Sequence, residues 1–260
     1  MSMEFGDFMM SVIDGIPKRS MGFALMGLLC FAAREGRALT FEQQLAQIQQ
    51  EVALSAEGVR QNMAAPQQGA IPPAHEIKNL IRVPMQRHGT SYTCGVAALQ
   101  SVLYYYNSQD PELRWVREDK LMKEMKTTED GTDYENIVAV ARAEGLRAEP
   151  HLNMTLEQLE SAIDRKNPVI CAIQAWSDTP GDYQDKWDDG HYVVAIGYDQ
   201  ERLYFMDPST MGNYTYITKA NFLKRWHDED RGHVKVIGLG IIFSKDAKPG
   251  YDPDLVLELE

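Results

Sequence analysis

TSYTCGVAALQSVLYYYN, residues 90–107, sets a cysteine at the head of an apolar-periodic segment. Val96, Leu99, Val102, Leu103 and Tyr106 recur at spacings near three and four, which is one face of a helix. Ser91 or Thr93 is placed to cap it. A thiol in the first turn faces unpaired backbone N–H groups and the positive end of the helix dipole, a setting that favours thiolate. Gly95 beside it leaves space for a substrate backbone. The same position also suits a small buried hydrophobe, the ordinary state of a free cysteine. The rest of the chain has to decide between the two.

With 260 residues, 44% of them hydrophobic, the chain can bury a full core, and one domain with an N-terminal extension is the simplest division. Acidic residues outnumber basic ones by 38 to 26, net −12, and no basic run is interleaved with aromatics, so nucleic acid is not an expected partner. Cys30, Cys94 and Cys171 are an odd count without CxxC spacing, which argues against a disulfide framework or a zinc knuckle. A free thiol with a chemical role fits better.

Residues 1–38 read as a leader. Lys18 and Arg19 precede MGFALMGLLCFAA, an apolar run with the proportions of a signal-peptide core and too short to span a bilayer comfortably. Two alternatives stand: export to the periplasm or the exterior, this segment being the only expected membrane contact, or a cytoplasmic protein with a helix packed on its domain. Residues 39–76 hold an amphipathic helix, with Phe41, Leu45, Ile48 and Val52 at helical spacing, and then a Pro/Gln-rich linker. The catalytic domain is expected over 77–245 and an acidic tail over 246–260.

Within that domain Ile81 to Met85 is an extended lead, and Gln86 follows eight residues before Cys94. An uncharged amide at that distance can hold the oxygen of a tetrahedral intermediate. His88 lies in a Gly- and Ser-containing loop and is expected to be solvated. Thr132 with Glu135, and Thr155 with Gln158, have capping-box spacing and open helices ending near Gly145 and Lys166. VICAIQAW, 169–176, reads as a buried strand with Cys171 in the core, and the polar residues 177–189 as a loop lining a cleft.

HYVVAIGYDQERLYFMDP, 191–208, is a hairpin signal: two β-rich runs flank Gly197 to Glu201, and Pro208 ends the second. Centring the turn on Asp199 pairs residues whose numbers sum to 398, so that His191 faces Asp207. Directly opposed side chains share a face with Cβ atoms about 4.5 to 5.5 Å apart. A carboxylate there fixes the imidazole tautomer and leaves the other ring nitrogen to take the thiol proton. Slipping the register by one residue would destroy the pairing.

Gln86, Thr93-Cys94-Gly95-Val96-Ala97-Ala98-Leu99, Gly190-His191-Tyr192-Val193-Val194-Ala195-Ile196-Gly197-Tyr198-Asp199 and Met206-Asp207-Pro208 together resemble the stand-alone branch of the papain-like bacteriocin-leader peptidase family, over roughly residues 80 to 243. The resemblance implies an α+β papain-like fold, with a helical part that carries the nucleophile at a helix start packed on an antiparallel sheet. It implies Cys94 as nucleophile, His191 as general base and then acid, Asp207 as its orienter, and Gln86 with the Cys94 backbone N–H as oxyanion hole. A peptide or protein is then the substrate, cleaved through an acyl-enzyme without a cofactor. Members that mature double-glycine leaders are usually fused to membrane-spanning and nucleotide-binding domains. This sequence has neither a P-loop nor a long apolar span, so that specificity does not carry over. Gln86 also stands further from Cys94 than in the leader peptidases. The same residues leave two other outcomes open: acyl or γ-glutamyl transfer to an amine, as in transglutaminase-like enzymes, and peptide binding without turnover.

WHDEDRGH, 226–233, holds His227, Asp228, Glu229, Asp230 and His233, but at no dedicated metal spacing, so solvated acidic surface is expected rather than a metal site. YTYI, 214–217, reads as a strand, Thr218 as a helix cap, and HVKVIGLGIIF, 233–243, as a core strand of the same sheet. Asp188 and Asp189 are expected near the cleft, to favour a basic substrate side chain or to raise the His191 pKa.

Overall fold

The helix expected from Cys94 forms as α1, Cys94–Asn107, in a computed structural model that describes residues 71–77, 79–109, 116–176, 183–230, 233–256 and 258. The leader and the amphipathic helix lie outside the described residues, and residues 72–260 form one unit. The apolar face is fully covered, and so is the opposite face: of the fourteen residues only Tyr104 is not buried. Burial on every side is tolerable because the polar members have partners. Gln100 Nε2 donates to the Val116 carbonyl at 2.6 Å and Ser101 Oγ to the Pro84 carbonyl at 2.7 Å. At the C-terminal end, where helix carbonyls lack partners, Gly250 and Tyr251 donate N–H groups to the Tyr106 and Tyr105 carbonyls. Gly250 and Tyr251 of the expected acidic tail are therefore docked on α1, and Asp254 forms an ion pair with Arg82 at 3.1 Å.

The six-stranded sheet on which the helices pack is antiparallel throughout, in the order β1 (Arg147–His151), β8 (Gly240–Ser244), β2 (Val169–Gln174), β3 (Gly190–Tyr198), β4 (Arg202–Met206), β5 (Thr215–Thr218). Helix α1 lies against β3, beside α2 (Glu118–Glu124) and α3 (Tyr134–Ala143); α4 (Leu156–Asp164) packs on β2 and β3, and α5 (Lys219–Arg225) on β2, β4 and β5. The α+β class is as expected. Every residue of β2 is buried, and desolvation pushes the Cys171 thiol pKa far up, so that cysteine is core.

Local signals were obeyed unevenly. Thr155 and Gln158 form the full capping box at the start of α4, with bonds of 3.3 and 2.8 Å, and the Thr218 hydroxyl caps α5 through Asn221 N–H. Thr132 does not cap: its hydroxyl pairs with Thr127 at 2.7 Å, and α3 begins after Asp133. Thr93 occupies the N-cap of α1, but its hydroxyl turns back to Thr90, so no side chain caps the turn that carries Cys94. Residues 233–243 are not one strand. Gly238, at φ +59°, breaks them, since a Cβ there would stand 3.0 Å from the backbone of Asn153 and Met154. Before it, β7 (Val234–Ile237) pairs with β6 (His227–Asp230) in a separate ribbon, and only β8 joins the main sheet.

The β3–β4 register departs from a sum of 398 in an instructive way. Near the turn Tyr198 pairs with Leu203 and Gly197 with Tyr204, a sum of 401; beyond Ala195 the sum is 400. The change is a bulge in which Ile196 has no partner across the hairpin, and its carbonyl accepts instead from Ile81 N–H at 2.7 Å. An offset of three would put Asp207 on the face opposite His191. The bulge brings the offset to two, and an even offset keeps both on one face. Replacing Thr155 by Ala should cost about 1 kcal/mol of stability, and removing one side of the core with Leu103→Ala about 2 to 5 kcal/mol. Urea denaturation of the two variants checks both values.

Candidate active site

His191 is held at the start of β3 with 2% of its side chain exposed, and its Nε2 lies 2.8 Å from Asp207 Oδ1. Asp207 is in turn fixed by the turn that follows β4. Its Oδ1 accepts from Ser209 N–H and Oγ–H, both at 2.8 Å, and its Oδ2 from Thr210 Oγ1–H at 3.1 Å. Burial on its own would raise the Asp207 pKa, but the His191 bond, its charge and the Ser209 donors pull it down to about 2. Burial likewise works to lower the His191 pKa. The Asp207 bond and the neighbouring Cys94 side chain overcome it and raise the imidazole to about 9. Nδ1 is buried with no closer partner among the described residues than the Cys94 side chain that raises the ring's pKa.

Cys94 is buried at the first position of α1, below a turn that no side chain caps, so the backbone donors there are not claimed by a cap. Gly95 does not open space for a substrate. A Cβ there would meet the Tyr192 ring at 3.1 Å and Ile137 and Thr132 at 3.4 Å, so the glycine lets β3 close on α1. Tyr192 locks that contact by donating its hydroxyl to the Thr132 carbonyl at 3.1 Å. Gln86 is half-buried in the segment leading to Cys94, and two residues on, His88 N–H donates to the Pro208 carbonyl, so this segment lies along the Asp207 turn. His88 is not solvated as expected. Its Nδ1 is buried, its ring meets His191 edge-on at 6.3 Å, and burial followed by the His191 charge lowers its pKa.

Trp176 and Gln174 were not anticipated at the site. Trp176 takes φ +52°, rare for a bulky side chain, and stands with its ring 4.6 Å from that of His191 although half exposed. It lines an open groove with Arg87, His88 and Ser91. Ser91 also lines a second cavity of about 290 Å³ whose wall includes Cys94. Seven carboxylate side chains line that cavity, among them Asp133, Asp188, Asp228 and Asp230, and among the described residues no Lys or Arg does. Asp188 is thus at the cleft as expected, whereas Asp189 is tied through its main chain to Gln174 and Ala175. The acidic run is not solvated surface: His227 is buried, and burial raises Asp228 to about 7 against its bonds from Glu229 N–H and Gln174. Gln174 escaped notice, and Asp228 was read as solvated surface, because the contact that joins them is non-local.

A family model described as the Peptidase_C39 like family matches residues 80–232. The chain belongs to this family. Among curated proteins it is 30% identical over 139 residues to the pediocin PA-1 transport/processing ATP-binding protein PedD of Pediococcus acidilactici, covering 51% of this chain and 16% of that protein. Among solved structures it is similar to a double glycine motif protease from an AMS/PCAT transporter in complex with a leader peptide, at 22% identity and TM-score 0.44, over 64% of this chain and 94% of that one. It is also similar to the peptidase domain of Streptococcus ComA, at 21% identity and TM-score 0.47, over 64% and 100%.

The shifted pair makes a pH prediction for stability. The Asp207 contribution is present above its unfolded pKa of 3.8 and is lost as pH falls through about 2. The His191 contribution is full below 6.5 and is lost as pH rises through about 9. Asp207→Asn should therefore destabilise most between those unfolded values, near pH 5, and much less at pH 10, as read by urea denaturation at the two pH values.

Proposed function

We propose that this chain is a cysteine peptidase with Cys94, His191 and Asp207 as its triad. The observation that supports it best is the buried His191, held through Nε2 by Asp207 while the Cys94 side chain acts on the same ring and raises its pKa. In this mechanism Nδ1 takes the thiol proton and the thiolate attacks a peptide carbonyl. The Cys94 N–H and the Gln86 amide receive the oxyanion, and the imidazolium then gives its proton to the leaving amine. Asp207 keeps the ring in one orientation through both transfers and stabilises its charged form. Water, activated by the same Nδ1, releases the acyl group from Cys94. The family membership supports peptide as the substrate class, as does the processing role in the name of the Pediococcus relative.

Incubating the protein with a peptide library and reading products by mass spectrometry tests this directly. Cleavage should disappear in Cys94→Ala and fall at least a hundredfold in His191→Ala, with an acyl adduct on Cys94 trapped by acid quenching. An added amine that diverts the acyl group in place of water would reassign the reaction to transfer. Peptide binding by Cys94→Ala with no turnover by the wild type would leave only a binding module.

The carboxylates around the Cys94 cavity also favour a cationic side chain next to the scissile bond. Peptides with Lys or Arg there should show the higher kcat/KM, and raising salt from 50 to 500 mM should narrow the difference, as the screening of exposed charge requires. Equal rates for Lys- and Glu-containing peptides would remove this preference.

A further inference from the structure

The carboxylates beside Cys94 have a counterpart of opposite sign on the other side of the loop that leads into α1. Ser91 belongs to both walls: it lines the acidic cavity and also the groove of Arg87, His88, Gly89, Thr90 and Trp176. The groove starts at the His191 imidazole, since the Trp176 ring stands 4.6 Å and the His88 ring 6.3 Å from it. Its wall is fixed at successive residues. His88 N–H donates to the Pro208 carbonyl at 3.1 Å, Gly89 N–H to Glu118 Oε1 at 2.9 Å and Thr90 N–H to Thr93 Oγ1 at 3.1 Å. Trp176 is more than half exposed and holds φ +52°, and backbone kept off the common regions collects at ligand sites. Arg87 is a cation in this wall. Its Nη1 donates to Met211 Sδ at 3.0 Å, an uncharged thioether that accepts weakly, and both side chains are exposed. The Glu118 carboxylate is taken up by Gly89 N–H and, among the described residues, makes no ion pair with Arg87.

We propose that this groove is a subsite for an acidic side chain, Glu or Asp, on the leaving side of the scissile bond, its carboxylate on the Arg87 guanidinium and its methylene stem on the Trp176 ring. The inference rests on the cysteine peptidase mechanism, which sets the direction. The acyl carbon bonds to Cys94 Sγ, in the wall of the acidic cavity, whereas the amine departs with a proton from the His191 ring, against which Trp176 and His88 stand. Residues before the scissile bond therefore lie by the acidic cavity, and residues after it by the groove. A guanidinium carries more N–H donors than the Met211 contact uses, in a fork that matches a carboxylate. The preferred substrate is thus dipolar, with a cation before the bond and an anion shortly after it.

Full-length protein is assayed with C-terminally amidated peptides that carry Lys before the cleaved bond and Glu, Gln or Lys at each position after it in turn. At one of these positions Glu should exceed Gln in kcat/KM by about three- to fivefold, the range an exposed ion pair supplies, and Lys should fall below Gln. Arg87→Gln should make the Glu and Gln peptides equal, and Arg87→Glu should invert the order so that Lys leads. These ratios are taken within each variant, so a general loss of activity does not imitate them. Dissociation constants of the same peptides on Cys94→Ala, read by tryptophan fluorescence, should follow the same order without turnover. Equal values for the three peptides at every position overturn the subsite, as does a Glu preference that survives Arg87→Gln or a preference seen only with free C-terminal acids. Binding in the stated order by a protein that never acylates Cys94 would instead overturn the peptidase mechanism and keep the Arg87 site, so the two failures stay distinct.

Discussion

The candidate site depends on one buried imidazole–carboxylate contact, His191 Nε2 to Asp207 Oδ1, and that contact depends on parity. Side chains on a strand alternate faces, so His191 and Asp207 share a face only when the register offset between their strands is even. The turn after Tyr198 imposes an odd offset, and the unpaired Ile196 corrects it. The correction exposes a carbonyl inside the protein, where an unmet acceptor is costly. Ile81 N–H meets it at 2.7 Å. Leu80 lies so close over Gly197 that a Cβ there would be 3.1 Å from its side chain, so a residue larger than glycine would push that strap away from the bulge.

The electrostatics of the centre follow from the same burial. Desolvation alone would keep His191 neutral and Asp207 protonated, and the pair reverses both tendencies only because each supplies what the other lacks. Asp207 is additionally held by three donors from Ser209 and Thr210, so its geometry does not rely on the imidazole. The turn Asp207-Pro208-Ser209-Thr210 thus follows the end of β4 and holds a carboxylate against the His191 imidazole. Around this pair, the described residues that line the cavity beside Cys94 supply seven carboxylates.

The helix from Cys94, the strand through Cys171, the hairpin and the two working helix caps were legible because each is written in a short window of spacing and turn chemistry. The His191–Asp207 partnership was legible for a subtler reason: an error of two residues in register preserves the face, so the right partner emerged from the wrong sum. What stayed hidden is non-local. Nothing near Gln174 signals that its amide will meet Asp228, more than fifty residues later. The run WHDED reads as surface until β7 pairs back along it. The role of Gly95 was misread for the same reason, since Tyr192, which fills the space beside it, arrives from another strand.

These non-local ties explain how an imidazole on a sheet and a thiol on a helix are brought to one place. The segment whose Ile81 N–H closes the bulge continues through Pro84, which accepts from Ser101 inside α1, and then through His88, whose N–H holds the Pro208 carbonyl. It touches in turn the hairpin that sets the parity, the helix that carries Cys94 and the turn that carries Asp207. Gln86 lies on this strap between its last two anchors. Its distance in sequence from Cys94 is therefore a weak guide to its place in space: the anchors on Pro84 and His88 set the path of the backbone, and residues added to the loop between His88 and Cys94 leave that path unchanged.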